Sequence, residues 1–488
     1  MDLQTVVAAY HDLLDEASAR DTFQRLDAAI RRRGMLVGKN RDRLVCEVLR
    51  PRFIVPSQYA VLQPASELVG RAIQKVGAAC LTDETLLAPY ALTPVERELL
   101  AMDPGYMGAA LFGRLDGFLA ADGSWCWFVE SNLESPAGIA YEDALVKDFL
   151  ALPVMQAFIR DYPVQVFTLW KRLHALLLDA WRVWSGPAAN AGSVPNVAIV
   201  DYRSAATWPE FEFLRDRFRA AGTPTVVVDP SELSYDGKQL YATIPGQASL
   251  PIGLVYRRIL QHEFLARSDL SHPLVRAYAD GRVCVVNPWR SKPVHTKLIM
   301  ALLSDAENSA ATLLNEAEHA AVQAHIPWTR QVRPGPTTYQ GERVVDLLDF
   351  VLRNRDRLVL KPNDEYGGSG VLLGWEASEA QWRGALAAAL HGPWVVQERV
   401  PIPQEEYPTW RPETGLQIAP RNVDSDPCVF GAGLPGGLPI QAAGCLTRIA
   451  STALLNVSAG GGAAPPTFLL TDGEDDSFQA VLYSANGG

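Results

Sequence analysis

Residues 113–132, GRLDGFLAADGSWCWFVESN, decide how the rest of the chain is read. Two arms rich in apolar residues flank an Asp-Gly pair, the pattern of a β-hairpin. Arg114 and Asp116 are two apart on the first arm, and Glu130 and Asn132 are two apart on the second. Side chains two apart on a strand share a face. A basic residue, two carboxylates and an amide on one face suit a hard cation. The plainer reading is a solvated edge, charged only to stay soluble. Register decides whether the acids meet. A two-residue turn at Asp122-Gly123 would set Asp116 against Val129 and send Glu130 to the far side. A three-residue loop, Asp122-Gly123-Ser124 with Gly123 left-handed, sets Asp116 against Glu130 and Arg114 against Asn132. The odd loop is therefore expected, with Phe118, Cys126 and Phe128 on the same face. Opposed carboxylates repel unless a cation lies between them, and oxygen ligands suit magnesium, which keeps waters and accepts phosphates.

A second stretch, LVLKPNDEYGGSGVLLG at 358–374, has Lys361 at the end of an apolar strand. Gly367, Gly368 and Gly370 form a turn before the next strand at Val371. Glycines let the backbone turn its N–H groups toward an anion, and a lysine adds a point charge. No G-K-[ST] or helix follows, so this is not a P-loop. By itself such a hairpin is more often only a turn. GAGLPG at 431–436 fits G-x-G-x-x-G by letter, but Pro435 and Pro439 block the helix that a dinucleotide fingerprint needs. The eight histidines include no H-E-x-x-H, and His262-Glu263 lacks its second histidine. No G-x-S-x-G elbow is present. Arg257 and Arg258 end the strand-like GLVYRR, where they face either a carboxylate substrate or solvent.

At 488 residues the chain is too long for one ordinary core. With 48% hydrophobic and 20% charged residues, it reads as soluble and globular. A net charge of -11 argues against nucleic-acid or anionic-membrane partners, while leaving room for a local basic pocket. The six cysteines are scattered without C-x-x-C spacing, which fits a reducing compartment. The N-terminal MDLQTVVAAYHDLLDEASARD reads as an amphipathic helix without a basic signal-peptide region, and no apolar run reaches the length of a membrane span. A cytoplasmic location is expected.

Along the chain, residues 1 to about 110 read as mostly helical, broken at LRPRFIVPSQYAVL, and helices return between about 140 and 185. SGPAANAGSVPN reads as a linker. The run NVAIVDYRS, the helix WPEFEFLRDRFRAAG and the run PTVVVDPSEL suggest a parallel α/β unit, with GLVYRRIL and RVCVVNP as further strands. Helices then lead to the strand RLVLKP, the glycine loop, VLLGW, a helix and PWVVQERV. A proline-rich connection precedes the strand PCVFGAG.

Lysine plus glycine loop and R-x-D…E-x-N hairpin together resemble the two halves of an ATP-grasp active site. The hairpin comes first here, as in the circularly permuted ATP-grasp proteins of the glutathionylspermidine synthetase type. LRPRF, FVESNLESPAG, VYRRI, VLKPNDEYGGSGV, WVVQERV and CLTRIASTALLNVSAGGG share the likeness, which runs from about residue 40 to 470. It implies an α/β (α+β) fold: a circularly permuted ATP-grasp domain with an inserted Rossmann-like pre-ATP-grasp domain. The implied division is 1–195, helical region plus metal-binding half; 196–290, pre-ATP-grasp domain; 291–400, lysine and glycine-loop subdomain; 401–470, return segment; 471–488, flexible tail. It also implies an ATP-dependent carboxylate–amine ligase that forms a C–N bond through an acylphosphate, with ATP and two magnesium ions. The substrates implied are a small-molecule or peptide carboxylate and an amine.

Carried over residue by residue, Asp116, Glu130 and Asn132 match magnesium ligands. Arg114 matches the arginine on the transferred phosphoryl group, and Arg448 is a second phosphate or substrate arginine or a fold contact. Lys361, Gly367, Gly368 and Gly370 match the phosphate lysine and its closing loop. Lys297, with Lys292 as competitor, matches the earlier nucleotide lysine. Gln397, Glu398 and Val400 fall at the adenine hinge, and Glu405 and Glu406 both stand as ribose acids. Arg257, Arg258, Asn287 and Arg290 are candidates for the acceptor pocket. The rival readings are an ATP-dependent phosphotransferase and a non-catalytic nucleotide-binding partner protein. Asp116→Asn should abolish product formation with limited effect on folding.

Overall fold

The computed structural model describes residues 2–38, 40–186, 193–244, 246, 248–431, 440–457 and 462–471. Most of the GAGLPG loop and of the acidic tail lies outside these residues, as does the middle of the linker.

The hairpin arms are Phe112–Leu119 and Cys126–Asn132. They supply half of a four-stranded antiparallel sheet. Asp426–Phe430 lies beside the first arm and Gln441–Leu446 beyond it, so one sheet joins distant parts of the chain. Asp116 does oppose Glu130, and Arg114 opposes Asn132. The device that achieves this differs from the expected odd loop. Leu119 pairs with Cys126, and the Ala120 N–H donates to Trp125 O at 2.9 Å, which leaves the four residues 121–124 as the loop. That is the register of an even turn. A bulge between Asp116 and Gly117, with Val129 as the extra residue on the opposite arm, shifts the pairing by one and restores the acids to each other. Gly123 is left-handed, at φ 76°, as expected. Gly117 must be glycine, because a Cβ there would lie 2.4 Å from Trp127 O.

The bulge also corrects the apolar face. Cys126 and Phe128 do not join Phe118; they point the other way, into the core with Leu115 and Leu119. That core surrounds the long helix Pro56–Cys80, whose buried face includes Leu62, Val69, Ile73 and Val76, at near-helical spacing.

The lysine strand Leu358–Pro362 is central in a second antiparallel sheet. Trp394–Glu398 lies on one side and Leu372–Leu373 on the other, with Thr329–Gln331 at the far edge. Between the two sheets in sequence is a four-stranded parallel sheet, ordered Cys284–Val286, Leu254–Arg257, Val197–Val200, Thr225–Val228. Helix Trp208–Ala220 makes the crossover from Val197–Val200 to Thr225–Val228. These four buried runs are the strands expected from their apolar composition.

The stretch read as a proline-rich connection is a long hairpin instead, Gln404–Arg411 with Gly415–Val423. Its prolines concealed it. Pro408 is on the edge strand, and Pro420 lies before the point where the second strand gains another neighbour at Asn422, so neither lacks a needed ladder donor.

Candidate active site

A cleft of about 740 Å³ opens between the hairpin sheet, the lysine sheet and the carboxyl ends of the parallel strands. Arg114, Asp116, Glu130, Asn132, Lys361, Gly367, Gly368, Gln397, Glu398, Val400 and Arg448 all line it. Lys297 stands behind this wall, with its ammonium 3.0 Å from Glu130 Oε1. Gly370 does not line the cleft. It shapes the loop, at φ 69°, where a Cβ would lie 2.9 Å from Pro362 Cγ. Gly370→Ala should cost about 1–2 kcal/mol in loop geometry and weaken nucleotide binding about tenfold by calorimetry. An unchanged affinity would separate the loop from the nucleotide.

Asp116 is the hub of an acid–guanidinium cluster. Arg114 grips it in bidentate fashion, Nε donating to Oδ1 at 2.7 Å and Nη2 to Oδ2 at 3.0 Å. Arg448 Nη2 also donates to Oδ2, at 2.9 Å. Burial pushes the Asp116 carboxyl up, but the two guanidiniums outweigh it and hold it well below the usual carboxylate range. Arg448 is held in turn by Asp424, whose Oδ2 accepts from Nε at 2.6 Å, and its Nη2 lies 3.0 Å from Asp426 Oδ2. Asp424 and Asp426 went unread in the sequence, although Asp-Ser-Asp follows the same two-residue spacing as the hairpin pairs. Burial raises both carboxyls against the pull of Arg448, Asp426 the more strongly.

Lys361 Nζ donates to Gln397 Oε1 at 2.6 Å and to the bulge carbonyl of Val129 at 3.2 Å. Burial pulls this ammonium down to about 8, with Glu130 acting to raise it. Burial raises the Glu130 carboxyl, and Lys297 with Lys361 more than offsets this, leaving it below its ordinary value. Lys292 does not share Glu130; it pairs with Asp364 at the root of the glycine loop. The Glu398 carboxylate accepts from Tyr339 OH at 2.5 Å and its backbone N–H donates to Trp328 O at 2.8 Å, so both are turned away from the hinge role.

Several candidates fall elsewhere. Arg257 spends every donor inside the fold, on Glu134, Ser291 and the carbonyls of Ile259, Asn287 and Pro288. Asn287 bonds the backbone of Leu111, Phe112, Leu133 and Glu134, and Arg290 donates to Met102 O. Neither Glu405 nor Glu406 is on the cleft wall. Glu405 is a buried partner of Arg50 at 3.0 Å and Arg52 at 3.1 Å. Glu405→Gln should therefore destabilise the fold by about 3 kcal/mol, read from the denaturant midpoint, without changing nucleotide affinity in the folded fraction.

Among the described residues no three His, Cys, Asp or Glu side chains are arranged as a metal cluster. The candidate cation position instead has two acids and an amide facing one another across the strands. Each acid is already balanced by Arg114, Arg448 or Lys297. Such a set fits magnesium held mainly through waters and phosphate oxygens rather than by a closed protein cage. All six cysteines are buried and unbridged, and no described helix is long and apolar enough to cross a membrane.

No family model matches the chain. It is 27% identical over 357 residues to a Frankia casuarinae protein provisionally named glutamate–cysteine ligase 2-2, covering 71% of this chain and 37% of that protein. A Frankia alni protein provisionally named glutamate–cysteine ligase 2-3 is 29% identical over 370 residues, with the same coverage. The chain thus spans little more than a third of these relatives, and the activity in their names need not reside in the shared part. Among solved structures, a glutathione synthetase-like effector from Globodera pallida in its apo form superposes with a TM-score of 0.61. The match covers 94% of this chain and 99% of that one at 10% identity, so the likeness is one of fold.

Proposed function

We propose that this chain, with the fold of a glutathione synthetase-like protein, is an ATP-dependent carboxylate–amine ligase of the circularly permuted ATP-grasp type, with the division at residues 195, 290, 400 and 470 given above. One observation carries the reading: a single cleft gathers the hairpin acids and arginines, the buried Lys361 and the glycine loop. In this reading a substrate carboxylate attacks the γ-phosphoryl group of ATP, giving an acylphosphate and ADP. An amine then displaces phosphate, forming the amide and releasing a proton.

Charge spreads over the transferred oxygens, so the catalyst must hold its cations in place beforehand. Arg114 and Arg448 are fixed by Asp116, Asp424 and Asp426, and Lys361 by Gln397. Magnesium, bound by Asp116, Glu130 and Asn132, would supply further charge neutralisation on the phosphates. Gly367 and Gly368, both at positive φ, let the loop lie against the phosphates and exclude water from a hydrolysable intermediate. The backbone at Val400, on the cleft wall just past the strand, would meet an adenine, since Gln397 is paired with strands on both sides and the Glu398 and Arg399 N–H groups donate to Trp328 O and Arg357 O.

The test is incubation with MgATP and a panel of acids and amines, with ADP, phosphate and products quantified. Amide plus phosphate, and a hydroxamate when hydroxylamine replaces the amine, is the expected result. A stable phosphorylated acceptor would reassign the protein as a phosphotransferase. Nucleotide binding without turnover across the panel would reassign it as a nucleotide-binding partner.

A further inference from the structure

The cleft continues past the phosphate side to the carboxyl ends of the parallel strands, the place where open α/β sheets bind ligands. Its wall there carries charges of both signs that, among the described residues, form no close ion pair with one another. Arg258, only 5% exposed, donates through Nη1 to Pro136 O at 2.7 Å and to Tyr256 OH at 3.0 Å, while its buried Nε has no hydrogen-bond partner. Arg267 lies over the Tyr202 ring at 4.1 Å and makes no ion pair among the described residues. Asp201 follows the strand Val197–Val200; among the described residues its side chain takes a hydrogen bond only from the Tyr202 N–H, at 2.7 Å, and forms no ion pair with Arg258. Glu263 accepts from Tyr366 OH at 3.0 Å. Arg258, Arg267, Asp201 and Glu263 all line the cleft.

Buried charges and donors are ordinarily paired, and an orphaned guanidinium N–H beside an unpaired carboxylate leaves both in need of a partner. One molecule with both signs meets both needs. We propose that this wall is a subsite for a zwitterion, an amino acid or the end of a short peptide. Its non-reacting carboxylate is bound by Arg258 and Arg267, and its ammonium by Asp201 and Glu263. The assignment rests on the ligase reading for the fate of the molecule, but its binding is tested without ATP. It separates two neighbours: Arg257 belongs to the fold and Arg258 to the ligand.

Calorimetry and thermal shift on the nucleotide-free protein would use the free proteinogenic L-amino acids and a set of di- and tripeptides at millimolar concentration. The decarboxylated and N-acetylated form of each binder would follow. At least one zwitterion is expected to bind, and loss of either charged group should weaken it about tenfold or more. Arg258→Lys should weaken it similarly. If that variant fails to fold, Asp201→Asn and Glu263→Gln on the opposite side of the subsite carry the same expectation. Binding of none of the panel, or equal binding of the neutralised forms, overturns the subsite. MgATP binding by the wild type is measured separately: its loss would sink the ligase reading and leave the zwitterion result standing, and the reverse pattern would do the opposite.

Discussion

Asp116→Asn is expected to lower ADP release with an active acid–amine pair by about two to three orders of magnitude, comparable to removing one preorganised electrostatic element from a transition state. Three causes act together. The hairpin loses one of its two opposed carboxylates, so the cation position keeps only Glu130 and Asn132. Arg114 loses the bidentate contact that orients it. Arg448 keeps Asp424 but loses its bond to Asp116. From sequence the fold should hardly notice; the structure says otherwise. Neutralising one member of a buried ion pair costs about 3–5 kcal/mol when its partner is stranded. Asp424 and Asp426 still neighbour Arg448, so the lower end of that range is expected, visible as a reduced denaturant midpoint. Undiminished turnover by a folded Asp116→Asn protein would remove the hairpin acids from the chemistry.

Lys361→Met should separate activity from stability in the opposite sense. Turnover should again fall about a hundredfold or more, because the substituted side chain has similar length and no charge for the phosphates. The fold should be as stable as the wild type or more so. Burial has moved the Lys361 ammonium from its ordinary 10.5 down to about 8, so holding it charged at neutral pH costs about 3 kcal/mol. Losing the donors to Gln397 and Val129 offsets about 1–2 kcal/mol of that relief. The pH signs follow. A depressed folded-state value means that the stability tied to this group is full above about 10.5 and is lost as pH falls through about 8. Nucleotide affinity runs the other way: it should decline as pH rises through about 8, with protons taken up on binding near that pH. Both dependences should vanish in the Lys361→Met protein. Measuring binding heats in buffers of different ionisation enthalpy checks this, and an affinity flat from pH 7 to about 9.5 would dissociate Lys361 from the phosphates.

Much of this arrangement is written locally. Spacing by two places Arg114 with Asp116 and Glu130 with Asn132, and three closely spaced glycines after a strand-terminal lysine announce a turn wherever they occur. The parallel strands were recoverable for the same reason, since runs such as VAIV and TVVV have few other uses. The prolines of the Gln404–Val423 region misled, because their tolerance depends on which strand edges are left unpaired.

Sequence alone determined that Arg114 shares a face with Asp116 and Glu130 with Asn132, because an unbroken pleat has a fixed period, but it did not reveal the bulge that turns Phe128 to the other face from Glu130. It could not determine which faces meet. The bulge at Val129, not the loop, aligns Asp116 with Glu130, and it exists because Gly117 lets the opposite arm approach. Asp426, and Asp424 just before it, join the site only because the strand Asp426–Phe430 pairs with the first hairpin arm across the whole intervening chain. Arg257 ends its strand and Arg258 follows in extended continuation, its N–H still donating to Val200 O, so the two side chains part to opposite sides, and only tertiary packing makes one side core and the other cleft.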